Sequence, residues 1–479
     1  MSKATISYVI ETEIPSNHIE SLIDYIYQKY LLPQKQRFAN VSRIIIDGYP
    51  SLTYNVIDST GNTKLNVEIR GSKPINVRIL LFDKTVPEKK INEVKQDVII
   101  AVELFEEKIR ESTLYFAWRE GEDIVPESLH GKEKKAINRM FLETQIFLFV
   151  IFISLGMFLF LIIGWLAPIT LMAIQFVFVF YSNKIIARSG DWRITESNPT
   201  IHLLEYHLPI EEHDTLIKKI TKEQLIQMKK KVYERSLSRT GEIDCEIARE
   251  IFKDYGLECN PENLSTRKVD IYQIVKKVAD KFGFPMPEVV ISNSMVPNAA
   301  ASGPSPTRGV VLITTGLLVH LENDEIVSVL GHEFGHLKGR DPLLLYGLTG
   351  AEFLIRFYVL FAFLPFIFYS FFFFFIYFWI VMTGIYFIAK FFEARADLVS
   401  AMVMGQPRVL AEALEKIGFK RLLSERVPAF RLQEWISMEP HPPIYFRVSR
   451  LEKLETPVKI KYPFIQSARD VTNGFLASF

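Results

Sequence analysis

The stretch FFFFFIYFWIVMTGIYFIAKFFEARAD, residues 371–397, decides how the rest of the chain is read. The uncharged run extends back to Phe357, so that no residue between Arg356 and Lys390 carries a formal charge. A helix buried in a soluble domain seldom stays apolar for so long, whereas a helix crossing a bilayer needs about 20 such residues. Broken near Pro365, the block reads as two membrane helices, the first starting near Leu344 and carrying Glu352 and Arg356. Those two lie four apart on one helix face and can pair. An ionisable pair in a membrane helix faces the bundle interior or the interface. Exposure of the pair at the cytosolic end of a tilted helix is the equal alternative. Just beyond Lys390 stand Glu393 and Asp397, again four apart.

A second uncharged block, Thr144 to Asn183, is also long enough for two membrane helices, with Gly164-Trp165-Leu166-Ala167-Pro168 as the turn. The two blocks absorb much of the excess of Phe, 38 of 479 residues. A formal net charge of +1 argues against a nucleic-acid partner. Cys245 and Cys259 make neither a disulfide framework nor a zinc motif, and read as reduced thiols. The start, MSKATISYVIETEI, has no basic segment followed by an apolar one, so no signal peptide is expected. Lys132, Lys134, Lys135 and Arg139 precede the first hairpin and Lys184, Arg188 and Arg193 follow it. Arg340 precedes the second, and Lys390 and Arg395 follow it, while both turns lack charge. The positive-inside rule then predicts a multi-pass cell-membrane protein with both termini and every soluble segment in the cytosol.

The expected fold is a multidomain integral membrane protein. Residues 1–125 form an N-terminal α+β domain and 126–143 a basic linker. Residues 144–183 are one transmembrane hairpin and 343–390 the other, four helices in all. The catalytic domain, mainly α with a small β-sheet, is split into 184–342 and 391–479. In the first domain Ile6, Tyr8 and Ile10, then Leu65, Val67 and Ile69, then Ile75, Val77, Ile79 and Leu81 alternate as half-buried strands do. Gly48 and Asp58–Asn62 supply hairpin turns, and Ile91 to Ile109 recur at helical spacing. Lys229-Lys230-Lys231 reads as a solvated helix face. Ile271, Ile274, Val278 and Phe282 mark an amphipathic helix, and short strands follow at 288–291, 298–302 and 310–313.

The chemistry starts at residues 332–336, His-Glu-Phe-Gly-His. Two imidazoles four apart share a helix face and reach one metal ion, with Glu333 beside the open position where a water would sit. Asn323 and Asp324 are placed to cap that helix. Gly335 costs about 1 kcal/mol relative to Ala in a helix interior, which suits close approach of another segment. A catalytic zinc site wants a third protein ligand. It comes from His18, His130, His202, His207, His213, His320 or His441, or from a carboxylate. Glu393, three residues past Lys390, is favoured by its location, with Asp397 placed to hold a ligand imidazole in its tautomer. The site then lies at the cytosolic membrane surface.

These motifs resemble the HtpX-like membrane zinc metalloproteases, relatives of the CAAX prenyl proteases. The resemblance covers roughly residues 140–450. It rests on Phe284-Pro285-Met286-Pro287, Pro297-Asn298-Ala299-Ala300-Ala301, Thr314-Thr315-Gly316-Leu317-Leu318, HEFGH at 332–336, EARAD at 393–397, and His441-Pro442 with Arg447. It implies one catalytic Zn²⁺ on His332, His336 and Glu393, Glu333 as general base, and Asp397 and Arg447 behind the ligands. It implies that Asn298 and His441 stabilise the tetrahedral intermediate, and that a substrate adds as a strand along Asn298, Ala299, Ala300 and Ala301. Ala300 stands where the family pattern has an aromatic residue, and residues 1–125 have no counterpart in the family core. The implied activity is cleavage of membrane-protein or unfolded polypeptide substrates in quality control. Two other readings are a CAAX-type prenyl-peptide protease and a non-catalytic membrane adaptor with structural zinc.

Overall fold

The computed structural model describes residues 5–10, 12, 14–57, 62–82, 86–122, 124, 145–208, 220–257, 260–360, 363, 370–425 and 428–478. The basic flank before the first hairpin, the turn residues 58–61, Cys259, Pro365, His130 and His213 lie outside them. The chain forms two compact units, one of Met1–Leu114, Glu205–Gln224 and Arg249–Ser265, the other of Tyr115–Leu204, Leu225–Ala248 and Thr266–Phe479.

In the first unit, β1 (Thr5–Ile10), β2 (Phe38–Ile46), β3 (Tyr49–Ile57), β4 (Thr63–Arg70) and β5 (Ile75–Leu81) form an antiparallel sheet of order β1-β5-β4-β3-β2. Leu65, Val67, Ile69, Ile75, Val77 and Ile79 are buried while their neighbours are not, so alternation gives the sheet one core face. α1 (Ile19–Tyr25) and α2 (Glu88–Glu111) bury Leu22, Ile23, Val94, Val98 and Phe105 in that core. Asp47 and Gly48 both take positive φ, 51° and 84°, as a two-residue hairpin turn between twisted strands requires.

Two small sheets follow, of which the four-stranded one lies wholly within the second unit. β6 (Thr113–Trp118), β8 (Thr200–His207) and β9 (Leu264–Asp270) run in the order β6-β8-β9. β7 (Trp192–Ile194), β10 (Glu288–Ser292), β11 (Ala299–Ser302) and β12 (Val310–Thr314) run β11-β12-β10-β7, leaving β11 as an edge antiparallel to β12. Lys229 is not on a solvated face: it is fully buried, its ammonium 5.7 Å from the Trp118 ring and 5.8 Å from the Trp192 ring.

Among the described residues three stretches are long and apolar enough to cross a membrane: Ser154–Phe180, Asp341–Leu360 and Phe372–Met404. The expected count of four requires two crossings from the first. That stretch joins α3 (Gln145–Ile163) and α4 (Ala167–Phe180) at Gly164, whose φ is 54°. A Cβ on Gly156 would lie 3.2 Å from the Leu171 side chain. Residues so spaced on one straight helix would be about 22 Å apart, so the chain doubles back here. α4 has 14 residues, about 21 Å, which is shorter than the ~30 Å hydrocarbon core and explains why it does not count alone.

Between β9 and the second hairpin the unit carries α5 (Ile271–Phe282), whose Ile271, Ile274, Val278 and Phe282 are buried, and α6 (Asn323–Gly339). α7 (Asp341–Ile355) follows α6 after one residue, earlier than the expected start near Leu344. Arg340 closes α6 in the left-handed region at φ 55°, and Pro342 suits the first turn of α7. Glu352 pairs with Arg356 at 3.0 Å and accepts the Tyr377 hydroxyl at 2.7 Å. Phe357, the next residue, packs its ring 5.5 Å from that of Trp165, so the pair lies toward the Gly164 turn rather than at the Asp341 end of its helix. α8 (Phe371–Met404) is one helix of 34 residues, about 51 Å, continuous from the Phe run through Asp397. Lys390 and Arg395, read as basic flanks, are bonded internally: Lys390 to the Ser437 and Glu439 carbonyls, Arg395 to Gly335 O and Asp341. α9 (Pro407–Glu425) packs on α6, α8 and α10 (Ile444–Glu452), and α10 packs on α8, as does the helix Pro463–Leu476.

Candidate metal centre

α6 starts with a reciprocal cap in which Glu322 and Glu325 each bond the other's backbone, displacing Asn323 and Asp324 into the first turn. Ile326, Val327 and Leu330 bury the turns that follow. Gly331, Gly335 and Gly339 recur every four residues along the face that meets α8. A Cβ on Gly335 would lie 3.0–3.2 Å from the Ala396 backbone and side chain, and one on Gly339 would overlap the Arg395 guanidinium. On α8 the matching row is Ala396, Ser400 and Met404, and Ser400 donates to Ser328 O at 3.0 Å. Two helices with small residues at the seam approach closely, and this brings Glu393 against the two histidines.

His332 Nε2 and His336 Nε2 are 3.1 Å apart, Glu393 Oε2 is 3.4 Å from the first and Oε1 3.3 Å from the second. Ligand atoms about 2.0–2.1 Å from a tetrahedral zinc are about 3.3 Å from one another. Each imidazole turns its other nitrogen to a carboxylate: His332 Nδ1 lies 2.8 Å from Asp397 Oδ1 and His336 Nδ1 2.7 Å from Asp341 Oδ2. A carboxylate accepts, so Nδ1 carries the proton and the Nε2 lone pairs face each other and Glu393. Three acceptors converging at this spacing repel unless a cation lies among them. Burial pushes the His336 imidazole down, yet Glu393 together with the hydrogen bonds to Asp341 and Glu393 outweighs burial and leaves its pKa well above 6.5. His332 is raised in the same sense, against burial, by Asp397 and Glu393. The buried pocket thus favours positive charge, and its donors fit a zinc ion.

Each aspartate is gripped in turn by an arginine. Arg447 Nε and Nη2 donate to the two Asp397 oxygens at 2.9 and 2.7 Å, and Arg395 Nη2 donates to Asp341 Oδ2 at 2.5 Å. The Asp341–Arg395 arm is absent from the sequence reading. Its one local signal is an acidic residue opening the helix that follows the second histidine, and its partner is 54 positions away. Asp341→Asn is expected to weaken zinc binding by about 10–100-fold, measured by competition with a chelator. Unchanged affinity would remove Asp341 from the site.

Glu333 Oε2 accepts the Ala301 N–H at 3.0 Å. With that N–H turned from β12, antiparallel alternation turns the Ala299 N–H and C=O outward as well. Asn298 lies just before β11 rather than within it, its N–H donating to Thr314 Oγ1 at 2.8 Å and its C=O accepting from Thr314 N at 3.0 Å. His441, half exposed, reaches the centre with Nδ1 2.8 Å from Glu393 Oε2. Of the other candidate histidines, His320 bonds Gly316 O, His207 bonds Thr113, and His202 is buried in β8. His18 is buried in the first unit. Among the described residues the one cluster able to hold a metal ion is His332, His336 and Glu393.

A family model described as Peptidase family M48 matches residues 265–455, which contain all three residues and Arg447. The chain is similar to a Protease HtpX homolog of Pyrococcus furiosus, 33% identical over 211 residues, 39% of this chain and 73% of the relative. It is 32% identical to a Protease HtpX homolog of Pyrococcus abyssi over the same shares. A Protease HtpX homolog 2 of Methanosarcina acetivorans is 29% identical over 215 residues, 39% of this chain and 72% of the relative. The chain belongs to peptidase family M48, among its HtpX-like proteases.

Proposed function

We propose that this membrane-associated metallopeptidase is a zinc endopeptidase that hydrolyses peptide bonds of membrane-protein or unfolded polypeptide substrates at the cytosolic membrane surface, in quality control. The observation that carries the reading is the 3.1–3.4 Å triangle of His332 Nε2, His336 Nε2 and the Glu393 carboxylate, each imidazole backed by an aspartate. A zinc ion held by these three supplies Lewis-acid activation of a water and of the scissile carbonyl. Glu333 accepts the proton of the attacking water and returns it to the leaving amine. Asp397 and Asp341 hold the imidazoles in the tautomer that presents Nε2. Substrate adds as a strand along Asn298, Ala299, Ala300 and Ala301, where the outward N–H and C=O of Ala299 and the C=O of Ala301 face the pairing side, the Ala301 N–H being held by Glu333. Asn298 and His441 steady the oxyanion. With Nδ1–H on Glu393, His441 donates from Nε2 only when its ring carries both protons.

The same proposal includes a multi-pass topology of four membrane helices with both termini cytosolic. It also includes an N-terminal domain over 1–125 and a catalytic domain split as 184–342 and 391–479. The test is metal removal. Chelation is expected to abolish cleavage of casein or an unfolded membrane protein, and one equivalent of zinc to restore it. A zinc-loaded chain that digests neither would favour the adaptor reading, and cleavage confined to prenylated peptides the CAAX-type one.

A further inference from the structure

We propose that Lys390 is a positioning residue for His441: its ammonium fixes the loop at 437–439 and thereby sets the imidazole against Glu393. Lys390 is fully buried on α8, and Nζ donates to Ser437 O at 3.3 Å and Glu439 O at 2.6 Å. Glu393 follows on the same helix, about 4.5 Å along the axis. His441 comes two residues after Glu439, within about 7 Å of chain. One rigid helix therefore holds both the carboxylate and the loop that brings the histidine to it. The loop has two further ties: Ser437 Oγ donates to Glu434 O at 2.8 Å, which holds the loop to its own preceding helix rather than to the metal centre, and Arg421 pairs with the half-exposed Glu439 carboxylate at 2.7 Å, a correspondingly weak contact. The buried ammonium has a desolvation cost that Met or Leu at this place would avoid. Packing of the helix does not require it, whereas two backbone carbonyls that must be held at one spot do.

The proposal rests on the protease reading for the role of His441, and its test has an arm that does not. In the full-length zinc-loaded protein, Lys390→Met is expected to keep the zinc content and to change KM by less than about 2-fold. It should lower kcat by about 10-fold, part of the ~10²–10³-fold that losing an oxyanion donor costs. In a His441→Ala background the same substitution is expected to cost nothing further. The second arm is the rate of carbethoxylation of His441 by diethylpyrocarbonate, read by mass spectrometry. It should rise about 5-fold in Lys390→Met as the ring loses its hold on Glu393, with the other histidines unchanged. An equal kcat loss with and without His441, or an unaltered modification rate, overturns the proposal. If the wild type proves inactive on every polypeptide, the protease reading falls and the modification rate still decides Lys390. Lys390→Gln, which keeps one donor, carries both comparisons if Lys390→Met does not accumulate as folded protein.

Discussion

Glu333→Gln is expected to leave fold and zinc content intact while lowering kcat for peptide cleavage by about 10²–10⁴-fold, the range that a positioned general base contributes. The separation is possible because Glu333 faces β11 and the ligand atoms belong to other residues. Its carboxylate accepts the Ala301 N–H at 3.0 Å, and a glutamine carbonyl of the same length can accept that bond. The metal triangle of His332, His336 and Glu393 is untouched. What the amide cannot do is take a proton from water at neutral pH. Zinc content is read by elemental analysis and cleavage with a fluorescent casein or a detergent-solubilised membrane protein. Wild-type cleavage by the variant would sink the proposed role of Glu333. Loss of zinc together with activity would mean that the substitution had damaged the site, and Glu333→Asp then separates the two effects.

The parts of this site that can be read along the chain are those fixed by helix periodicity. His332 with His336, and Glu393 with Asp397, are each four apart, and spacing alone puts each pair on one face. The Gly335 expectation had a local reason too, since a glycine inside a helix needs a close neighbour, and the neighbour is Ala396. Contacts between distant segments carry no such mark. His441 meets Glu393 across 48 positions, and Arg395 meets Asp341 across 54. Charge without partners also misleads. Lys229 looks like a solvated residue in sequence, because a count of charges cannot tell a cation in water from one between two tryptophans, and it is equally silent on the carbonyls that hold Lys390. The number of membrane helices is blurred for a different reason. The uncharged run 144–183 is long enough for two helices and carries a turn at Gly164, whereas the 14 residues of Ala167–Phe180 fall short of the hydrocarbon thickness by themselves.

Arg447→Met is the second substitution with a large expected effect, through stability and metal affinity together. Arg447 is buried and donates to both oxygens of Asp397, which is itself buried and holds His332 Nδ1. Removing the guanidinium leaves a buried carboxylate with one partner fewer, and breaking a buried pair from one side costs about 3–5 kcal/mol. The expected result is a clear fall in thermal midpoint in detergent, with zinc affinity lowered about 10–100-fold because the His332 tautomer is no longer held. The double variant Arg447→Met with Asp397→Leu distinguishes the two causes. Replacing both members by apolar groups removes the stranded charge, so the midpoint should recover most of what the single variant lost. Zinc affinity should stay low, since nothing then orients the His332 ring. Recovery of both quantities would mean that Asp397 and Arg447 serve packing alone. Recovery of neither would mean that the pair holds α10 to α8 in a way no apolar pair can replace.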